Sequence, residues 1–282
     1  MISKPIQNLL LIVLILTTLF STNSGVNAAG STFLSADLRT DLQEIQTAGD
    51  FRVKIAATSL PSEGFPSYTA GWLGIALDKM GTPTQVGIMA DQMGIYWFAF
   101  SQAPIRCIQG TSAWWSDTEQ RYMGCKGDLN SLVSLGVFHT VELVNYGQGE
   151  WIARIFDAAD NGYDLAVIDH PGETIYDVDV TFEEAYLQEE DPYLESSFVF
   201  YRPQYNTWSP ENGFADWPAS QAQYNNTLYI DGASPEEICP TQYSIKTMYQ
   251  ASARAWYAGK AVEGGTCLST LFKELYLPLL AQ

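Results

Sequence analysis

The chain has 282 residues, of which 46% are hydrophobic and only 16% charged, so it is not a wholly disordered protein and it can form a sizeable core. Lys and Arg number 14 against 32 Asp and Glu, a formal net charge of −18. Because so acidic a chain cannot displace the counterions of a phosphate backbone, we exclude nucleic acid as a partner.

The N-terminal segment has the three parts of a secretory signal peptide. One cation, Lys4, precedes an apolar stretch from Leu9 to Phe20, and small residues follow at Val26 and Ala28. We predict cleavage after residue 28, a secreted protein and no transmembrane segment in the mature chain. The alternative is a single membrane anchor, for which the apolar run is short.

Residues 29–50 form an N-terminal leader segment, which could be a short helix. From residue 51 to 202, short apolar or alternating runs separated by turn residues predict an all-β, antiparallel β-sandwich. The predicted strands are Phe51–Ala56, Gly71–Leu77, Thr84–Met89, Ile95–Phe100, Phe138–Val144, Trp151–Phe156, Tyr163–Ile168 and Ile175–Tyr186. Asn161-Gly162 predicts a hairpin between the sixth and seventh of these.

The last predicted strand, Ile175–Tyr186, alternates strictly. Val178, Val180 and Phe182 fall on one face, which we predict to be core. The residues on the other face are polar, which predicts a solvated face; they are Asp177, Asp179, Thr181 and Glu183.

Residues 203–282 read as a connector and a mostly helical appendage. Ser234-Pro235-Glu236-Glu237 is a capping box. Helical spacing then follows in two runs. The first run ends at Gly259 and the second at Pro278; their members are Ile245, Met248, Tyr249, Ser252 and Trp256, then Leu268, Leu271, Phe272 and Leu275.

Four cysteines in an exported chain favour two disulfides over a metal site, because no C-x-x-C pair is present. Four cysteines allow three pairings, of which proximity favours Cys107 with Cys125 and Cys239 with Cys267. The two histidines, His139 and His170, read as surface or rim residues rather than catalytic ones.

An acidic segment from Asp157 to Asp164 is reminiscent of a calcium loop, but Ala159 and Ile168 occupy positions where an EF-hand needs oxygen ligands. An acidic run is usually a solvated face. We therefore expect no metal and no cofactor.

Residues 71–104 carry the most informative pattern, which has three parts in order: Trp72-Leu73-Gly74-Ile75, then Gln85-Val86-Gly87, then the aromatic run Trp97–Gln102. This series resembles the glutamic peptidases called eqolisins, secreted acid proteases with a concanavalin A-like β-sandwich. The resemblance covers residues 51–200. Phe100 stands where the family has tryptophan and Gln102 where it has glutamate, which implies an altered substrate cleft.

The resemblance implies a catalytic pair and a set of substrate contacts. The pair is Gln85 and Glu184, with Glu183 as the alternative glutamate. The implied substrate contacts are Trp72, Trp97, Phe100, Gln102 and Tyr186.

Such a pair can hydrolyse a polypeptide. Glu184 would take a proton from water and later return it, while the Gln85 amide would donate to the developing oxyanion. Burial among aromatic residues would raise the pKa of Glu184, which predicts activity in acid. By alternation Glu184 shares the face of Phe182, where an acidic side chain costs free energy unless it is paired or functional.

A second interpretation is a secreted sandwich without catalytic activity that binds glycans or proteins. Aromatic faces stack on sugars and anchor interfaces, and four tryptophans are candidates for such a face. They are Trp114, Trp115, Trp208 and Trp217.

Overall fold

The computed structural model describes residues 32–39, 49–61, 68–76, 83–170, 175–186, 197–206, 213–217, 223–229 and 255–259. Side chains are described for these residues except 32–39, 184–186, 197, 223–229 and 255–259. The predicted signal peptide, Cys239 and Cys267 lie outside the described residues. Within those residues, no helix has the length and apolarity required to cross a membrane.

The described chain is all-β, with sixteen strands in two antiparallel sheets. Sheet 1 has eight strands. Their spatial order is β15 (Gln223–Tyr229), β1 (Thr32–Arg39), β12 (Asp177–Tyr186), β3 (Tyr68–Ala76), β4 (Pro83–Asp91), β5 (Gly94–Ser101), β8 (Arg121–Lys126) and β7 (Thr111–Ser116).

Sheet 2 also has eight strands. Seven follow one another in the order β14 (Phe214–Asp216), β13 (Ser197–Asn206), β2 (Asp50–Ser59), β9 (His139–Gly147), β10 (Glu150–Phe156), β11 (Gly162–Asp169) and β6 (Ile105–Cys107). The eighth, β16 (Ala255–Gly259), pairs with β13.

The two sheets pack face to face around one hydrophobic core, because alternate residues of their strands are apolar. Sheet 1 supplies Leu73, Val86, Trp97, Val180 and Phe182, and sheet 2 supplies Phe51, Val141, Trp151, Ile168 and Phe200, all buried. The prediction of a β-sandwich over residues 51–202 agrees with this arrangement.

One disulfide joins the two sheets. Cys107 in β6 of sheet 2 bonds to Cys125 in β8 of sheet 1, with Cα atoms 5.6 Å apart. This confirms the first of the two predicted pairs.

Strands also form in two regions that the sequence set apart from the sandwich. Residues 32–39 of the predicted leader form β1, between β12 and β15. The described part of residues 203–282, the predicted connector and helical appendage, forms the end of β13 and strands β14, β15 and β16. At Ala255–Gly259 the helical prediction is wrong, because these residues pair along β13, whose backbone groups satisfy theirs. The remaining residues of the predicted appendage lie outside the described residues.

Candidate functional site

The face of sheet 1 that points away from sheet 2 is buried over β3, β4, β5 and β12 from Asp179 to Glu183, although the alternation in β12 predicted a solvated one. Asp179, Thr181 and Glu183 are 3%, 6% and 4% exposed. Beside them lies a second apolar cluster, which we call the outer aromatic cluster. It consists of Ala70, Trp72, Met89, Tyr96, Phe98, Phe100 and Met123, with Tyr68 and Trp114 packed against it. The sequence prediction of a wet face is therefore wrong, because a second layer of apolar side chains excludes water there.

Strand register brings Gln85 and Asp179 to the two sides of one glycine. Gly74 in β3 pairs with Asp179 in β12 on one side and with Gln85 in β4 on the other. Because neighbouring strands lie about 4.8 Å apart, the two Cα atoms are separated by about 10 Å. Both side chains are 3% exposed. An amide and a carboxyl thus flank the same point of a buried face.

The absence of a side chain at Gly74 is required by its neighbours. A Cβ there would overlap Asp179 Oδ1 and would lie 3.5 Å from Trp72 Cδ1. The Asp179 carboxyl and the nitrogen-bearing edge of the Trp72 indole therefore converge over Gly74. We call Trp72, Gly74, Gln85 and Asp179 the Gly74 site.

Three polar atoms on this face have no hydrogen-bond partner within the part of the chain that the structure describes. They are Gln85 Nε2, Trp72 Nε1 and Thr181 Oγ1. Thr181 pairs directly with Trp72, and Trp72 is followed two residues later by Gly74. Because a buried polar atom without a partner costs about 1–3 kcal/mol, a cluster of three indicates a place where a ligand supplies the partners.

Glu183 lies on the same face, farther along β12. Its Oε1 accepts a hydrogen bond of 2.7 Å from the Tyr68 hydroxyl. Burial raises the pKa of Glu183 to about 7, although the Tyr68 hydrogen bond opposes the rise. Glu183 is four residues beyond Asp179, which places it about 13 Å along the strand from the register of Gln85. It is a buried acid, but it does not share the Gly74 site.

The other predicted site residues are not gathered at one place. Phe100, opposite Gln85 in β5, belongs to the outer aromatic cluster. Trp97 lies in the core between the sheets instead, and Gln102 follows β5, where its carbonyl accepts from Arg121. The side chains of Glu184 and Tyr186 lie outside the described residues, so their predicted roles stay predictions.

The two histidines are buried rather than exposed at the rim. His139 Nε2 accepts from the Ser134 N–H at 3.0 Å, and Nδ1 donates to the Phe156 carbonyl at 3.2 Å. Burial lowers the pKa of His139, which favours this neutral form. Both ring nitrogens of His139 are thus engaged in structure. His170 is also buried, at 7% exposure.

Asp157, the first residue of the calcium-like segment, stabilises the β10–β11 hairpin. Its carboxylate accepts from the Asn161 side-chain amide, from the backbone N–H groups of Asn161 and Ala159, and from the Tyr163 hydroxyl. These hydrogen bonds lower the pKa of Asp157 to about 2. Among the described residues, no group of three or more His, Cys, Asp or Glu is arranged to hold a metal ion.

The tryptophans of the second interpretation do not share one surface. Trp114 packs on Phe98 and Phe100 in the outer aromatic cluster, and Trp217 is buried in the core. Trp115 is exposed and packs edge-on against Tyr122. Trp208 lies outside the described residues.

Sequence reasoning missed Asp179. Asp179 alternates strictly with Val178 and Val180, which placed it on the face of β12 that points away from the core. Nothing in the sequence showed that this outer face is covered by other side chains. Nor does the sequence show the register between β12, β3 and β4, which alone brings Asp179 level with Gln85.

Comparison with models of protein families finds no match for this chain, and comparison with curated proteins finds none either. Comparison with solved structures finds SCP-B, a member of the eqolisin family of peptidases, in a complex with the tripeptide Ala-Ile-His. It is 10% identical, the alignment covers 82% of this chain and 98% of that chain, and the TM-score is 0.46. Scytalido-glutamic peptidase, solved with a peptide-based transition state analog and with a transition state analog inhibitor, shows the same identity and coverage, with TM-scores of 0.46 and 0.47.

Proposed function

We propose that this protein hydrolyses peptide bonds in acid, with Asp179 as the proton-transferring carboxyl and Gln85 as the oxyanion donor. One observation carries the proposal. The Gln85 amide nitrogen is buried without a partner among the described residues, and it flanks the glycine over which the Asp179 carboxyl lies.

The chemistry needs only these two groups and water. The Asp179 carboxylate takes a proton from water as the water oxygen attacks the peptide carbonyl carbon. The carbonyl oxygen becomes an oxyanion, which accepts a hydrogen bond from Gln85 Nε2. Protonated Asp179 then gives its proton to the peptide nitrogen, the C–N bond breaks, and the carboxylate is regenerated.

Asp179 suits this role better than either glutamate considered from the sequence. Glu183 shares the buried face, but its carboxyl is held by Tyr68 at a register about 13 Å away. Glu184 has the opposite strand parity to Asp179 and Glu183. Only Asp179 is level with Gln85.

The outer aromatic cluster supports the chemistry, because excluding bulk water strengthens a hydrogen bond to a developing oxyanion. The same burial means that a polypeptide reaches Asp179 only if the face opens to admit it. We include secretion in the proposal, on the signal-peptide pattern of residues 1–28.

The test is cleavage of denatured casein by the mature protein from about pH 2 to 5, the range in which a carboxyl group titrates. We expect Asp179→Asn and Gln85→Leu each to lower kcat by about a hundredfold or more, the usual loss for a catalytic acid–base or an oxyanion donor. Circular dichroism checks that both variants remain folded.

Two further variants test the assignment. Gly74→Ala should also lower kcat, because its Cβ would displace the Asp179 carboxyl. Glu184→Gln separates the two candidate acids. Loss of cleavage in Glu184→Gln together with full activity in Asp179→Asn would return the catalytic role to Glu184 and refute the assignment made here.

A further inference from the structure

The proposed chemistry leaves two polar groups on the buried face unexplained, the Thr181 hydroxyl and the Trp72 indole N–H. Thr181 Oγ1 is directly opposite Trp72 in the register of β12 and β3, and it has no hydrogen-bond partner among the described residues. Thr181 is also two residues from Asp179 on the same face of β12, a distance of about 7 Å. The proposed chemistry uses neither Thr181 nor the indole N–H of Trp72.

Resting on the proposed function, we propose that the Thr181 hydroxyl and the Trp72 indole N–H together bind a main-chain carbonyl of the polypeptide substrate, beside the bond that is cleaved. Thr181 is thus a substrate-binding residue that positions the chain.

The chemistry of the two groups identifies the ligand atom. The Trp72 indole only donates, and the Thr181 hydroxyl can donate. A peptide carbonyl oxygen has two lone pairs, so it can accept from both at once. Their Cβ atoms are about 5 Å apart, as for any directly opposed pair in an antiparallel sheet, which allows both to reach one oxygen.

The surroundings favour the peptide main chain over a charged ligand. Trp72 packs edge-on against Phe98, with ring centroids 6.3 Å apart, and Ala70 and Met123 are buried in the same cluster. An anion would lose its hydration here and lie near the Asp179 and Glu183 carboxyls, each two residues from Thr181 on the same face. A cation would meet the indole N–H, which can only donate, whereas a neutral carbonyl flanked by two donors incurs neither cost.

Thr181→Val is the informative variant, because valine keeps the shape and removes the hydroxyl. A hydroxyl reserved for a ligand contributes nothing to the free chain, so we expect Tm to stay equal or rise. We expect KM for denatured casein to rise about fivefold, the loss of one neutral hydrogen bond, with kcat changed less than twofold. Thr181→Ser, which keeps the hydroxyl, should retain the KM of the parent.

Thr69→Val is the matched control. Thr69 Oγ1 is also buried without a partner among the described residues. Thr69 lies in β3, three residues before Trp72, and its strand parity therefore puts it on the other face of sheet 1. We expect its Tm to stay equal or rise and its KM to stay unchanged. A KM in Thr181→Val within twofold of the parent, or a clear fall in its Tm, would overturn the inference.

A failure of the proposed catalysis can be distinguished from a failure of the proposed carbonyl binding by Thr181 and Trp72. If the parent chain cleaves no casein at any pH, binding of the same denatured casein is followed by tryptophan fluorescence. About fivefold weaker binding by Thr181→Val than by the parent then supports the inference without catalysis. Equal binding by the two chains, or no binding by the parent, overturns it.

Discussion

Burial gives Glu183 an influence on stability that an exposed glutamate lacks. Its pKa is raised from 4.5 to about 7 because the carboxylate would be desolvated. The native state therefore binds more protons than the unfolded state between those two values, and the stability from this residue falls as pH rises. The stabilising contribution of Glu183 is fully present below about pH 4.5 and is lost by about pH 7.

Glu183→Gln should remove this pH dependence, because the amide mimics the protonated acid and still accepts from Tyr68. We expect parent and variant to unfold at similar urea concentrations near pH 4, and the variant to be more stable by about 3 kcal/mol near pH 8. The measure to compare is the difference in unfolding free energy between parent and variant at each pH. Burial lowers the pKa of His139, so His139 adds the opposite pH dependence to both chains and cancels in the difference. If the unfolding free energies of parent and variant changed in parallel with pH, Glu183 would be ionised in the native state at no cost in stability, and this prediction would be wrong.

At the scale of elements, sheet 1 differs from an ordinary sandwich sheet because β3, β4 and β5 are buried on both faces. One face packs on sheet 2 and the other carries the outer aromatic cluster. This explains why β12 can hold Asp179, Thr181 and Glu183 away from water although the strand reads as amphipathic.

The outer face of sheet 2 is instead polar and paired by charge across its strands. Glu142 in β9 lies between Arg52 in β2, at 3.8 Å, and Arg154 in β10, at 3.7 Å. Arg154 also contacts Asp164 in β11 at 2.6 Å. Opposite charges on directly paired positions stabilise one register of these four strands.

The Cys107–Cys125 disulfide is an element-scale tie between the sheets. Its 18-residue separation predicts that removing it costs about 3 kcal/mol, through the entropy of the unfolded chain. We expect the double variant Cys107→Ala and Cys125→Ala to unfold at lower urea concentration than the parent. Reductant should lower the midpoint of the parent toward that of the variant and leave the variant unchanged. Equal midpoints for the two oxidised chains would contradict this.

At the scale of the whole molecule, the net charge of −18 at pH 7 opposes the compact state by mutual repulsion. The sequence pI of about 4.3 means that this repulsion is small in acid. We expect about 0.5 M NaCl to raise Tm more at pH 7 than near pH 4.5, because salt screens exposed charges. Equal increments at both pH values would show that repulsion does not limit stability.

The sequence alone determined the β-sandwich character, eight of the strands between Phe51 and Tyr186 and the first disulfide, because alternation and turn residues are local signals. Its assignment of Gln85 and Trp72 to a site stays a prediction. It did not reveal the short strands β6, β7 and β8, nor β1, β13, β14, β15 and β16, most of which are strands because of partners distant in the chain.

Only the tertiary structure shows which acid lies level with Gln85 in the strand register. Local alternation tells that Asp179 and Glu183 share a face, but not that this face is covered, nor that Gly74 brings Asp179 level with Gln85. Register between strands depends on long-range pairing, and a shift of one residue exchanges the two faces of a strand. The local sequence pattern of one strand does not specify which residues of another strand it pairs with.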